Sequence, residues 1–424
     1  MLNIALINHG CAKNLVDSEL MLGQLIKNGY NITLDESKAD IVIINTCSFI
    51  HDAEKESVAS IFDMINSGKK IIIAGCLAQK YRKELQNLIP EASAFVGISE
   101  IDKIAETIKQ ITQDNSEIFS VKDIPVYKYP ENIERQQITM GASTYVKIAD
   151  GCDFNCGYCI IPNLRGKYTS RKREYIVKEV TGLVKKGVTE ICLIAQDTTS
   201  YGKDIYSKPM LKELLEDLNE IEGLCWIRIL YTYPSMLTDE LLKTINSLDK
   251  VVKYIDVPLQ HVSNNMLELM NRPKEDNKKL IKRIRKFIPS AAIRTTFIVG
   301  YPGETEEDFN QLCEFVREMK LDKIGVFEFS REKGTKAYSL KPQIKAPIKK
   351  QRRKILMEIQ QKVSKDINRK LIGKTIECIV ESINEEGIIT ARTYKDAPEV
   401  DGLIYIKTNK SPIPGDIIKV KVTD

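Results

Sequence analysis

The chain has 424 residues, 43% hydrophobic and 29% charged, which is too long for one ordinary domain and apolar enough for two or three sizeable cores. A net charge of +5 is mild for this length, and the opening MLNIALINHGCAKN lacks the basic start and long apolar run of a secretory signal. Apolar runs such as IVIIN and IIIAG are too short to cross a bilayer, so a cytoplasmic chain with no membrane association is expected. Ten cysteines in a reducing compartment then call for metal binding, catalysis or plain burial rather than disulfides.

Residues 1–110 alternate strand and helix patterns. Strands are expected at 3–8, 30–34, 41–45, 70–75 and 94–96, with helices at 15–28, 53–65 and 77–89. Short apolar strands separated by amphipathic helices imply a parallel, flavodoxin-like α/β sheet. Residues 112–138 are polar and contain prolines, as a linker would. Six further strands follow at 145–149, 190–195, 225–230, 254–258, 294–300 and 323–329. Helical stretches at 175–186, 210–221, 239–247, 277–287 and 306–319 lie between them. Six βα units suit an open, partial (β/α)6 barrel, since a closed one needs eight.

A basic amphipathic helix is expected at 347–369, and residues 341–363 carry eight Lys or Arg against one Glu. Segments IECIVESI, GIITARTY, GLIYIKT and IIKVKVT then alternate apolar and polar, which predicts a small antiparallel, OB-like barrel. Residues 364–424 hold ten charges of each sign, a balance unlike that of a tail built to grip phosphates. The basic stretch before it could reach RNA, but a solvated helix face is the commoner meaning. The expected domains are therefore 1–125, 139–363 and 364–424.

The segment GCDFNCGYC sets Cys152, Cys156 and Cys159 in a Cys-x3-Cys-x2-Cys spacing directly after the strand YVKIA. Three thiolates in one tight loop hold three irons of a cubane cluster and leave the fourth open for a ligand. A zinc knuckle would bring a second Cys or His pair nearby, and the next His is His261. Cys11, Cys47 and Cys76 each stand just past a strand (INHGC, INTC, IAGC). Parallel neighbouring strands would bring them to one sheet edge, where a second cluster with an open iron could form. Three inert core thiols are the alternative. His9 and His51 suit loop positions, and Cys192, Cys225, Cys313 and Cys378 suit the core.

The central motif, its place after the first strand and the six βα units resemble the radical SAM superfamily. That resemblance implies S-adenosylmethionine (SAM) chelated at the open iron and cleaved to a 5′-deoxyadenosyl radical. Tyr158 would offer a flat face to the adenine. The turn in TTFIVGYPGET, with Gly300, Gly303 and Glu304, resembles the SAM-contacting glycine-rich turn, although a plain strand-to-helix turn gives the same pattern. Gln260 and Arg171 are further candidates to face SAM, and Arg165, Gln196 and Asp197 to face SAM or substrate; each could equally be structural.

The whole chain resembles the radical SAM methylthiotransferases. It has spread cysteines on an N-terminal α/β domain, a Cys-x3-Cys-x2-Cys domain and a barrel like the TRAM domain. That resemblance implies two 4Fe–4S clusters, an auxiliary one carrying the sulfur and one binding SAM. GCAKNLVDSE, CIIPNLRGKYTSR, AQDTTSYG, YTYPS and VPLQHVSNNMLELMNR look like the branch that modifies an aspartate β-carbon in the twelfth protein of the small ribosomal subunit. The tRNA branches tend to read GCQMN or GCKVN after the first Gly. Ala12 departs from the branch pattern, where Pro is expected. The resemblance implies as partners the ribosomal protein, free or in the small subunit, an electron donor such as flavodoxin or ferredoxin, and a contact with ribosomal RNA. Methylthiolation of a tRNA adenosine and a non-enzymatic zinc and RNA-binding protein are the competing functions.

Overall fold

The computed structural model describes residues 2–113, 117–131, 134–138, 141–408 and 410–424. Its first unit is built from β1 (Asn3–Asn8), α1 (Ala12–Lys27), β2 (Asn31–Ile32), β3 (Ile41–Thr46), α2 (His51–Ile65), β4 (Lys70–Gly75), α3 (Cys76–Tyr81), α4 (Lys83–Leu88), β5 (Ala94–Val96), α5 (Ile104–Gln113) and β6 (Ile118–Ser120). The six strands pair in parallel in the order β2-β1-β3-β4-β5-β6. Strand β3 shows why the sheet is covered on both faces. Ile41 and Ile43 pack with Met21 and Leu25 of α1, whereas Val42 and Ile44 pack with Ile61 of α2 and Leu77 of α3. The strand order reverses between β1 and β3, and ligand crevices form at the carboxyl ends of such a pair.

The sequence misleads in three places here. The helix expected at 77–89 is two, because Arg82 has φ +50 and turns its guanidinium to Asp123. The strand expected at 30–34 is only two residues long, at the sheet edge. The stretch 112–138, of which 114–116 and 132–133 lie outside the described residues, is more than a tether. It supplies β6, and it buries Tyr127 and Arg135 between α1 and the next unit. Tyr127 donates to Asp17 (3.1 Å), and Arg135 pairs with Glu19 (3.1 Å) while donating to the Tyr145 carbonyl (2.6 Å). The expected start at 139 also falls outside the described residues.

The central unit comprises β7 (Ser143–Lys147), β8 (Ala149–Asp150), α6 (Ile161–Arg165), β9 (Thr169–Ser170), α7 (Arg173–Lys185), β10 (Glu190–Ile194), α8 (Lys203–Tyr206), α9 (Leu211–Asn219), β11 (Trp226–Ile229), α10 (Asp239–Ser247), β12 (Tyr254–Asp256), α11 (Asn264–Leu269), α12 (Asn277–Phe287), β13 (Ala292–Val299), α13 (Glu306–Met319), β14 (Lys323–Glu328) and α14 (Ala346–Arg369). Two parallel three-stranded sheets, β7-β10-β11 and β12-β13-β14, are joined through a bridge between Ile227 and Val251. The result is a six-stranded open arc, and β7 and β14 do not pair among the described residues. Outward residues such as Val146, Ile191 and Ile293 meet the helices. Inward residues such as Tyr145, Cys192 and Trp226 meet Val16 and Leu20 of α1. Cys192, Cys313 and Cys378 are core residues, but Cys225 is only half-buried. No helix of the described residues is long and apolar enough to cross a membrane.

The last unit holds β15 (Thr375–Ile383), β16 (Ile389–Thr393), β17 (Ile404–Ile406) and β18 (Ile417–Lys421). They pair antiparallel in the order β17-β16-β15-β18, forming the small antiparallel unit expected as a half-barrel. This unit caps the amino ends of the central strands. Arg392 reaches Glu190, the first residue of β10, and the same carboxylate pairs with Arg228 (3.0 Å) and accepts from Ser143 (2.7 Å). Burial raises the Glu190 carboxyl, but Arg228 and Arg392 outweigh it and hold it below the ordinary value. A group depressed in this way stabilises the fold above its unfolded value, about 4.3, and loses that contribution as pH falls through the folded one. Glu190→Ala leaves the buried Arg228 without a carboxylate and Arg392 with Glu381 alone (2.6 Å), and should cost about 3–5 kcal/mol at neutral pH. Denaturant titration checks this, and the gap between variant and parent should narrow below about pH 4.

Candidate functional site

The first three cysteines stand where the sheet geometry places them. Cys11 follows β1, Cys47 follows β3 and Cys76 opens α3 directly after β4. Gly10 has φ +98, and a Cβ there would lie 2.7 Å from the Cys47 Cβ, so only glycine lets the two loops close on each other. Asn14 ties them further by donating to the carbonyls of His9 and Thr46, each at 3.0 Å. Cys47 and Cys76 are buried. Burial, then the neighbouring Cys76, pushes the Cys47 thiol up to about 12, and burial raises Cys76. Crowding also raises Cys11, but Lys13, Arg165 and the amides of Asn14 and Lys13 outweigh it and lower that thiol.

The second set occupies the loop after β8. Gly151 enters it with φ +74, and a Cβ would lie 2.1 Å from the Lys167 carbonyl oxygen. Cys152 donates its amide to the Gly166 carbonyl (3.1 Å), and Gly157 to that of Met270 (2.8 Å). Burial pushes the Cys152 and Cys159 thiols up to about 12. Arg272 donates to the Cys156 sulfur (3.9 Å) and to the Pro258 carbonyl (2.7 Å). Its guanidinium lies 4.2 Å from the Tyr233 ring, which stacks on Phe154 at 3.7 Å. Arg272, Tyr233 and Phe154 were not singled out from sequence. They sit inside the quoted segments VPLQHVSNNMLELMNR, YTYPS and GCDFNCGYC, but nothing local shows that they meet.

Among the described residues no three His, Cys, Asp or Glu side chains converge on one metal-ion position. A cubane asks for something else, because each thiolate takes its own iron. Two all-sulfur donor sets, with Arg165 and Arg272 each directing an N–H at one sulfur, fit anionic thiolates on such clusters.

A buried charge network joins the two sets. Arg165, at the end of α6, donates to Asp150 (2.7 Å) and Asp17 (3.2 Å), to the Asn14 side-chain oxygen (2.6 Å) and to the Cys76 sulfur (3.9 Å). Lys147 joins the same two aspartates, and Gln196 donates to Asp150 (2.8 Å). Asp150 lies two residues before Cys152, so this network spans from one cysteine set to the other.

The remaining candidates divide. The turn 300–304 adjoins the cysteine loop, since a Cβ on Gly157 would lie 2.6 Å from the Tyr301 hydroxyl. Gly300 and Gly303 have φ +73 and +88, as a tight turn requires. Glu304 faces inward: it accepts from the Gly300 amide, meets His261 (3.3 Å) and pairs with Arg352 of α14 (2.8 Å). Tyr158 packs with Met266, Met270, Tyr301 and Phe329. Gln260 has φ +70 and bridges to β13 through its backbone, to Thr296 and Ile298. Arg171 lies elsewhere, paired with Glu131 (2.8 Å) and Glu179 (2.6 Å) over the Tyr129 ring, fastening the 112–138 stretch. Asp197 accepts from the Thr199 amide (2.9 Å) and from the Thr199 and Ser200 hydroxyls, shaping the loop after β10.

Three family models match the chain in sequence. They are the uncharacterized protein family UPF0004 at residues 3–97, the radical SAM superfamily at 146–316 and the TRAM domain at 372–424. The fold is similar to that of the radical S-adenosylmethionine methyltransferase TsrM from Kitasatospora setae. The TM-score is 0.57 at 14% identity, covering 78% of this chain and 75% of that one. The ribosomal protein uS12 methylthiotransferase RimO of Thermoanaerobacter sp. (strain X514) is 47% identical over 100% of this chain and 98% of its own. That of Clostridioides difficile (strain 630) is 46% identical over 100% and 97%. With its three units matched in order and its full length shared with these relatives, the chain belongs to the ribosomal protein uS12 methylthiotransferase family of radical SAM enzymes.

Proposed function

We propose that the chain adds a methylthio group to the β-carbon of an aspartate in ribosomal protein uS12. The observation that carries this reading is Arg165, whose guanidinium contacts Cys76 of one thiol set and Asp150 at the root of the other. Sulfur insertion into an unactivated carbon needs a sulfur carrier and a radical source side by side, and two sets of three thiols give one place for each. Cys11, Cys47 and Cys76 would hold an auxiliary 4Fe–4S cluster, and Cys152, Cys156 and Cys159 the SAM-binding one. When bound, these groups supply the inserted sulfur and the reductive cleavage of SAM. The protein's own contribution is placement. Arg165 and Lys147 neutralise Asp17 and Asp150 between the two sites, α1 covers the inward face of the arc, and Arg272 holds the Cys156 loop against the strand ends. We assign electron delivery to a small donor such as flavodoxin or ferredoxin, and a ribosomal RNA contact to the basic face of α14, in the cytoplasm.

Three outcomes test the reading. Reconstituted enzyme with SAM and a one-electron reductant should raise the mass of uS12 by one methylthio group and leave tRNA unchanged; modification of tRNA alone overturns the substrate. Cys11→Ala, Cys47→Ala or Cys76→Ala should abolish methylthiolation while 5′-deoxyadenosine still forms, whereas Cys156→Ala should stop its formation, both read by chromatography. Gly151→Ala, strained at φ +74 and blocked by the Lys167 carbonyl, should lose about half of the reconstituted iron and sulfide while the first cysteine set stays loaded.

A further inference from the structure

Lys13 is a buried cation that forms no salt bridge among the described residues. The residue is 8% exposed. Its ammonium donates to the Ala195 carbonyl (3.3 Å) and lies 3.5 Å from the Tyr231 ring centroid. Among the described residues it forms no ion pair. A buried ammonium held by one carbonyl and one aromatic face is short of hydrogen-bond acceptors and of negative charge.

Its position is as telling as its partners. Lys13 is two residues past Cys11, on the first turn of α1, and reaches from there to the carboxyl ends of the central strands. Ala195 follows β10, and Tyr231 stands two residues past the end of β11. Tyr231 has φ +60, a conformation costly for an aromatic residue. It is held there by its amide donating to Asp256 (2.9 Å) and its carbonyl accepting from the Thr198 amide (3.0 Å). The nearby Asp256 carboxylate faces Arg294 (3.4 Å) and lies outside salt-bridge distance of the lysine. The ring is therefore fixed beneath the ammonium, which stands at the carboxyl ends of the central strands, two residues along the chain from Cys11.

We propose that Lys13 binds the side-chain carboxylate of the substrate aspartate. This rests on the function proposed above and names a specificity-determining residue for it. The β-carbon of an aspartate is bonded directly to its carboxyl carbon. Gripping the carboxylate therefore places the reacting C–H within a bond length of a fixed point between the sulfur carrier and the radical source. The same charge separates aspartate from asparagine, whose amide cannot satisfy an ammonium in the same way.

The test uses reconstituted holoenzyme, a uS12 peptide containing the target aspartate, and the same peptide with asparagine there. The parent should bind and modify the aspartate peptide in strong preference. Lys13→Met, which keeps length and apolar bulk, should keep its iron and sulfide content. It should weaken Kd and kcat/KM for the aspartate peptide by about 10- to 100-fold, the worth of one charge-assisted hydrogen bond, and bring the aspartate-to-asparagine ratio near one. Lys13→Arg, retaining charge, should restore much of that ratio. A Lys13→Met enzyme that still discriminates overturns the proposal. Loss of iron from Lys13→Met also overturns it, because the ammonium would then serve the cluster on Cys11. A parent enzyme that modifies neither peptide but does modify tRNA overturns the function itself, a different result from either.

Discussion

Arg165 is the contact on which the arrangement of the two halves depends. Its guanidinium meets two aspartates from different units, Asp17 on α1 and Asp150 before the cysteine loop, and a side-chain amide and a sulfur from the first set. Lys147 balances the same carboxylates from the carboxyl end of β7. Four charges are thereby removed from water, which is tolerable only while every partner is present. Separating the units would leave Asp150 facing Arg165 without Asp17, and Asp17 alone on its helix. The network thus links folding of each half to docking on the other. It explains why α1, an element of the first sheet, buries Val16 and Leu20 in the hollow of the second.

The secondary network at the opposite end works by the same logic. Glu190, Arg228 and Arg392 sit where the central strands begin, and the half-barrel contributes only Arg392 to that group. Around it, Ile379 and Ala397 fill the end of the hollow, and Tyr254 donates to Asp401 (2.6 Å).

Much of the architecture was legible because strands and helices here follow local patterning. The run IVIINT must be buried on both faces, and a cysteine directly after such a strand falls at the carboxyl edge wherever the strand sits in the sheet. The six metal-ligand candidates followed from that rule and from one short spacing. What sequence did not disclose depends on pairing over long separations. Arg171 and Arg165 are six residues apart and look alike in sequence, yet one fastens the 112–138 stretch and the other lies between the cysteine sets. Glu304, which reads as a cofactor contact, instead finds Arg352 on a helix 48 residues away. Lys13 carries no local signal, because the ring beneath it belongs to a strand end more than two hundred residues later. The helix 77–89 broke at Arg82, whose partner Asp123 lay in a stretch taken for a tether.

The filled amino end gives the arc a direction. With Arg392, Ile379 and Ala397 at the strand beginnings and α1 lying over the hollow, both cysteine sets stand at the opposite, carboxyl ends of the strands. Anchoring and chemistry are thereby assigned to opposite ends of the same strands.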